Sequence, residues 1–465
     1  MSRVVRPHNA LANLILQRGM ASAPDHLGLL HFLVHSLEGA PHPALALDAA
    51  RRLYEGGPGL GHALHMRAHI DMRTGHYDRV LAASKAAVEA DVRWNLARSG
   101  GGASTMLYEY SAHNIAFMAE AAQRMGSWRE TCAALALLNT ASGFLMATDP
   151  SAHAHLAQYL TRQLLQPLRF GLYAQVLKGT DPGGPGPVSI SADGATTTIS
   201  VQLPGQGNSS HSFPCARAVC GAARTFVRCV AHARQRHKLE AKQDLADLVG
   251  VACAEGAAGE QACTLPPDSA PAAAHALGLL YARQHSQLVI AAAGCSMGAA
   301  GGHDSTTSSP EGEDVKGSMS ASLKCSQDAG ADNGPARTGL FLLVAAAEVA
   351  VAQDELDHAI LLLRIGVSLQ NDLFYDEPAP LFYPLGETLA GRLMARRGAR
   401  DVEEAAGVLR QVLFQWPGSA LATLALAEAV SLTGGSTAQL GGASLAQALR
   451  RATRHNDTAL DLAWL

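Results

Sequence analysis

The sequence predicts an all-α chain, a solenoid of antiparallel helix pairs wound as a right-handed superhelix, and three observations predict it. His31-Phe32-Leu33-Val34-His35 is followed 34 residues later by His65-Met66-Arg67-Ala68-His69, self-similarity at the period of a helix-pair repeat. Pro41 to Pro43, Gly75 and Gly126 fall where such pairs must turn. The chain is 48% hydrophobic and led by alanine and leucine, and alanine is the best helix former. A chain of 465 residues would otherwise suggest about three globular domains. A repeat array escapes that limit because each unit packs only on its neighbours.

The 34-residue step is the tetratricopeptide period. Residues 10–19 read as a first solenoid helix with Leu11, Leu14 and Ile15 on one face. The competing reading is a transit peptide, because residues 1–24 lack acids and carry Arg3, Arg6 and Arg18. Pro43 suits the first turn of a helix, with Ala46, Ala49 and Leu53 on its packed face. Gly75 makes the next turn, before Tyr77, Val80, Ala83 and Ala87. A third unit runs from Thr105 to Met125, turns at Gly126 and returns through Trp128, Thr131, Leu135 and Leu138. A further helix is expected from Ala152 to Leu177. Residues 8–178 therefore read as N-terminal repeats.

Residues 179–212 are a Gly/Pro/Ser-rich insert. Val188, Ile190, Ile199, Val201 and Leu203 alternate with polar residues around Asp193-Gly194, as in a hairpin with a two-residue turn. A floppy insertion fits the composition equally well. Helical composition over 213–295 gives middle repeats. Residues 296–338 hold almost no large apolar side chain and cannot offset their ordering entropy, so a disordered insert is expected. C-terminal repeats fill 339–465. Their helix pairs are Ala345 to Gln353 with Leu356 to Leu369, Leu381 to Arg396 with Glu403 to Phe414, and Ala420 to Leu432 with Ser444 to Arg454.

Composition excludes some functions. The net charge of -4 and the lack of a dense Lys/Arg stripe argue against nucleic acid. No uninterrupted apolar run reaches the length of a membrane span. Eight scattered cysteines without a C-x-x-C pair read as reduced thiols of an intracellular, cytoplasmic protein, with organelle targeting left open.

Several phrases together resemble a family of uncharacterised tetratricopeptide-repeat proteins best known from bacteria. They are His31 to His35 with Glu38, Pro41-His42-Pro43, Gly61-His62-Ala63-Leu64-His65-Met66 with His69-Ile70, and Arg73-Thr74-Gly75-His76-Tyr77. Tyr110 with His113-Asn114, Arg169-Phe170-Gly171, and Tyr375-Asp376-Glu377-Pro378 with Tyr383-Pro384 continue the likeness. It covers about 10–180 and 339–435 well, and 215–293 weakly. The chain departs from the family at Arg67-Ala68, where Pro-Ser is usual, at Leu381, where Trp is usual, and at Gly386, where Arg is usual. The family also carries a longer N-terminal region, so this chain is expected to start inside the family's array. The resemblance implies architecture and no particular reaction.

The histidines carry the sharpest chemistry. A pair spaced by four lies on one helix face, its Cβ atoms about 5–6 Å apart. Two such pairs sit on the first helices of successive repeats, which in this architecture line the concave wall. Imidazoles reaching across the roughly 8–10 Å between packed helices could share an ion at about 2.0–2.1 Å. The expected metal set is His31, His35, His65 and His69, with Glu38 or His113 completing it, and imidazole ligands favour Zn, Cu, Fe or Ni. The blander reading has these side chains hydrogen-bonding along a polar groove wall. His62, Arg73, Tyr110, His113, Asn114, Glu120, Tyr375 and Tyr383 are the expected ligand-groove residues. No H-E-x-x-H, nucleophile elbow, Walker loop or dinucleotide fingerprint occurs.

The functional expectation is thus a scaffold that binds a partner protein or peptide in its concave groove, not an enzyme, with no cofactor required. The alternative is a divalent-metal protein, zinc being the natural ion, or a metal-dependent hydrolase using the groove histidines. The two differ in one observable: the histidines lie apart in the first and converge in the second.

Overall fold

The computed structural model describes residues 7–98, 105–148, 164–178, 188–190, 196–203, 207–214, 217–255, 266–282, 334–373, 379, 381 and 383–434. These residues form consecutive packed helix pairs, a helical solenoid of tetratricopeptide type with one small sheet inserted.

The N-terminal run is α1 (Pro7–Ser22), α2 (Leu27–Glu38), a 3-10 turn (Pro43–Ala46), α3 (Leu47–Gly56), α4 (Gly61–Arg73), α5 (Tyr77–Arg98), α6 (Thr105–Met125) and α7 (Trp128–Thr148). Gly75 and Gly126 take φ of 79° and 77°, left-handed conformations that glycine adopts without a Cβ penalty. At the first, His76 N donates to Asp71 O at 2.8 Å, closing the end of α4. The opening helix is present, but its face differs from expectation: Leu16 and Met20 pack on the α2–α3 core, whereas Leu11, Leu14 and Ile15 are exposed.

Two short helices follow, α8 (164–169) and α9 (Tyr173–Lys178). The single helix expected over Ala152 to Leu177 is broken because Gly171 turns left-handed (φ 69°) and Leu172 N bonds back to Pro167 O. Residues 152–163 lie outside the described residues.

The insert contains β1 (Val188–Ile190), β2 (Thr196–Leu203) and β3 (Gly207–Pro214), antiparallel in that order. Val188 faces Ile199 and Ile190 faces Thr197, the register a two-residue turn at Asp193-Gly194 would set, although 191–195 are outside the described residues. A third strand, Gly-Asn-Ser-Ser-His-Ser-Phe-Pro, was not expected because its sequence lacks an apolar alternation; the insert's structure therefore runs past residue 212. Three strands are also what a sheet needs beyond a marginal lone hairpin.

The remainder is α10 (Arg217–Arg234), α11 (Lys238–Glu255), α12 (270–282), α13 (Gly334–Ala352), α14 (Leu356–Asp372), α15 (Leu385–Arg396), α16 (Ala399–Gln415) and α17 (Ala420–Leu432). Helix α13 starts at Gly334, so the last residues of the insert expected to be disordered, 334–338, are helical; 296–333 and the helix expected over Ser444 to Arg454 lie outside the described residues. Cys220 is disulfide-bonded, which corrects the expectation of uniformly reduced cysteines. Among the described residues no helix is long and apolar enough to cross a membrane.

One hydrophobic core joins α8 to α17, and a smaller one joins α1 to α4. The ends of the array also meet. The turn at Pro417-Gly418 lies against Gly75, Arg124 of α6 stacks over Trp416 at 5.2 Å, and Arg169 of α8 pairs with Glu387 of α15. Glu387 also accepts from Ser419 Oγ at 2.9 Å. Arg124, Trp416, Arg169, Glu387 and Ser419 are all buried.

Candidate metal centre

Helix α2 buries Leu30, Leu33, Val34 and Leu37, which leaves positions 31, 35 and 38 along its other side. Helix α4 is buried almost throughout, with Ala63, Met66, Ala68 and Ile70 packed inward. Its first residue is glycine because the Asp91 carboxylate and Ala87 O lie where a Cβ would go. Asp91 in turn accepts from Ser111 Oγ and Asn114 Nδ2, both at 3.3 Å. Helices α2, α4 and α6 thereby stand side by side with their histidines facing.

Six histidines form one continuous band that divides into two trios, His31/His35/His62 and His65/His69/His113. Within each trio, one ligand-capable nitrogen per ring lies within 4.8 Å of the other two. The outer trio has ring centroids 4.7, 4.9 and 6.0 Å apart. The inner trio has 4.4, 4.7 and 5.9 Å. Each takes an i, i+4 pair from one helix and a single histidine from the next. His31 Nε2 and His62 Nε2 are 2.9 Å apart, and His35 and His69 link the trios at 5.4 Å.

Glu38 lies behind both. Its Oε1 is 3.0 Å from His35 Nδ1 and its Oε2 is 2.9 Å from His69 Nδ1. Burial pushes the Glu38 carboxyl up, but the charge of His69 and hydrogen bonds from His35 and His69 outweigh it and bring the pKa to about 2. An ionised carboxylate that accepts from His35 Nδ1–H leaves that ring's Nε2 lone pair for an ion, and its other oxygen stands 2.9 Å from His69 Nδ1.

Burial, then the neighbouring His31, His35 and His69, lowers His62 to about 4. Burial and then His69 and His113 hold His65 well below its ordinary value. Burial and then His35 lower His31. Neutral imidazole, the ligating form, is therefore favoured at His31, His62 and His65. His65 is 0% exposed, and neither of its ring nitrogens has a hydrogen-bond partner among the described residues. Phe117 closes the inner trio, its ring 4.9–5.0 Å from those of His65, His69 and His113.

The four histidines expected to share one ion thus divide two and two between neighbouring trios. His62, expected in the ligand groove, and His113, expected there or as the residue completing the metal set, supply the third member of each, and Glu38, the other candidate to complete it, stands behind the rings. The remaining groove residues are mostly used internally. Arg73 Nε donates to Glu38 O at 2.9 Å. Asn114 serves Asp91, Glu120 accepts from Arg124 at 3.1 Å, and Tyr383 is buried near Arg169. Tyr110 keeps 37% exposure, its ring 5.2 Å from His62. Tyr375 lies outside the described residues. Asp91 and Phe117 escaped sequence reasoning, although Phe117 stands four residues after His113, where α2 and α4 carry the second histidine of each pair.

No protein-family model matches the chain, and no curated protein matches it. A chain of the solved structure of Naa15/Naa10 bound to HypK-THB is similar over 96% of this chain and 76% of its own, at 10% identity. Its TM-score of 0.19 carries no argument about fold or role.

Proposed function

We propose that this protein is a helical-repeat protein that binds a divalent transition metal, and that His65, His69 and His113 hold the ion. The observation that carries the reading is His65. An unpaired buried polar group costs about 1–3 kcal/mol, and an ion between the three rings would satisfy it. Imidazoles on a tetrahedral ion with bonds near 2.1 Å sit about 3.4 Å apart, so modest ring rotations close the present spacing of up to 4.8 Å. An all-imidazole set suits Zn, Cu, Fe or Ni. Three protein ligands is the donor count of catalytic zinc, but Phe117 covers this trio, so the ion is proposed here as bound and not as a catalyst of hydrolysis.

The experiment is a zinc titration of metal-free protein followed by calorimetry. Saturable binding that falls in stoichiometry or affinity in His65→Ala/His69→Ala, with helix content unchanged, is expected. An isotherm identical in the double variant would remove the histidines from the function.

Partner binding has separate support in a cleft of about 660 Å³ between the turn at Pro41 to Leu45 and Leu413 to Pro417. Leu45 and Phe414 are exposed there. A peptide segment seated in this cleft, away from the ion-paired interior, would lose affinity on Leu45→Asp, a change that leaves zinc binding intact.

A further inference from the structure

The outer trio repeats the construction of the inner one a repeat earlier. An i, i+4 pair from α2, His31 and His35, is completed by His62 from α4, as His65 and His69 of α4 are completed by His113 from α6. The two triangles have nearly the same shape: two short sides and one near 6 Å. His31 Nε2 and His62 Nε2 already converge at 2.9 Å. Glu38 holds His35 by Nδ1, which directs its Nε2 away from the carboxylate. The buried Nδ1 of His62 has no hydrogen-bond partner among the described residues.

The surroundings of the trios differ. The inner one is buried at His65 and His69 and covered by Phe117. The outer one is bordered by Tyr110, which is partly exposed, and the His35 side chain keeps 36% exposure. Exclusion of water slows ligand exchange at a metal, whereas an exposed site admits water and chelators as incoming ligands.

We propose that His31, His35 and His62 form a second transition-metal site, adjacent to the first and in contact with solvent, so that one chain holds two ions of unequal lability. Glu38 is the positioning residue common to both, because each of its oxygens orients one ring of each trio. The outer ion keeps its remaining positions for water or an incoming ligand, and it is the ion that exchanges. This inference rests on the inner site binding metal.

Native mass spectrometry of zinc-loaded full-length protein tests it, together with the rate at which the chromogenic chelator 4-(2-pyridylazo)resorcinol withdraws zinc. Wild type should carry two zinc ions, one withdrawn at least tenfold faster than the other. His31→Ala/His62→Ala should carry one, and its release should retain only the slow phase. Circular dichroism confirms that the variant is folded; should it unfold, His35→Ala supplies the same comparison from a partly exposed position. One zinc in wild type, lost with His65→Ala/His69→Ala, would overturn the second site and leave the first standing. No zinc in wild type would overturn both. Two zinc ions in the outer-trio variant would overturn the assignment of the second ion to these residues.

Discussion

His65→Leu should reverse its effect on stability when metal is added. The imidazole is fully buried, packed against His69, His113 and Phe117, with both nitrogens unpartnered among the described residues. Removing an unsatisfied buried polar group recovers about 1–3 kcal/mol. Replacing it with an apolar side chain of similar volume costs less than about 1.5 kcal/mol. In EDTA, then, the variant should lie between about 0.5 kcal/mol less stable and about 3 kcal/mol more stable than wild type. Zinc at a thousandfold excess over its dissociation constant should stabilise wild type by about 4 kcal/mol per site, and the variant, its inner site reduced to two imidazoles, should lose the inner site's share of that gain. The urea midpoint by far-ultraviolet circular dichroism, with EDTA and with zinc, reads both. A variant more than about 3 kcal/mol less stable in EDTA, with an equal zinc response in both proteins, would refute the reasoning and make His65 an ordinary packing residue.

Three further outcomes follow from the same geometry. Glu38→Gln removes the charge that fixes Nδ1–H on His35 and His69, and zinc affinity should fall about 10–100-fold with little change in helix content; unchanged affinity by calorimetry would deny Glu38 a positioning role. Gly75→Ala places a Cβ against Pro417 O at a φ of 79°; it should destabilise the protein by more than about 2 kcal/mol in thermal melts and loosen the contact between the first and last repeats. Burial lowers His62 from 6.5 to about 4. A histidine depressed in the folded state stays neutral as pH falls through that window, and its contribution to stability, present above 6.5, is lost progressively toward 4. The bond from His62 to zinc at the outer trio should therefore persist at pH 6 and be lost as pH falls toward 4, whereas release centred at 6.5 in a chelator assay would mean a water-exposed imidazole.

How far the sequence could be read depended on distance along the chain. The 34-residue offset between His31 and His65 is a local, repeated signal, and α2 and α4 do stand side by side. Gly75 and Gly126 marked turns because left-handed backbone leaves a glycine in the sequence, and α6 spans Thr105–Met125 as its apolar spacing predicts. Which histidines share a site was not readable. Pairing His31 with His62 instead of His65 depends on the stagger between neighbouring helices, which periodicity does not encode. Arg73 and Asn114 looked available for a ligand because their partners, Glu38 O and Asp91, are brought beside them only by packing, whereas Glu120 pairs with Arg124 one turn on in its own helix, a spacing the sequence does show. The closure of Pro417 on Gly75 and of Arg169 on Glu387 joins segments hundreds of residues apart, with no local pattern to announce it. Strand β3 was hidden for the opposite reason: its polar sequence carries no alternation at all.

X-ray absorption spectroscopy at the zinc edge looks directly at the coordination that the histidine band is built to give. The zinc-loaded protein should show nitrogen neighbours near 2.0–2.1 Å, about three of them with the multiple-scattering pattern of imidazole rings. A first shell of oxygen alone, or one unchanged when His65 and His113 are both replaced by alanine, would place the metal elsewhere and leave the stacked histidines as packing.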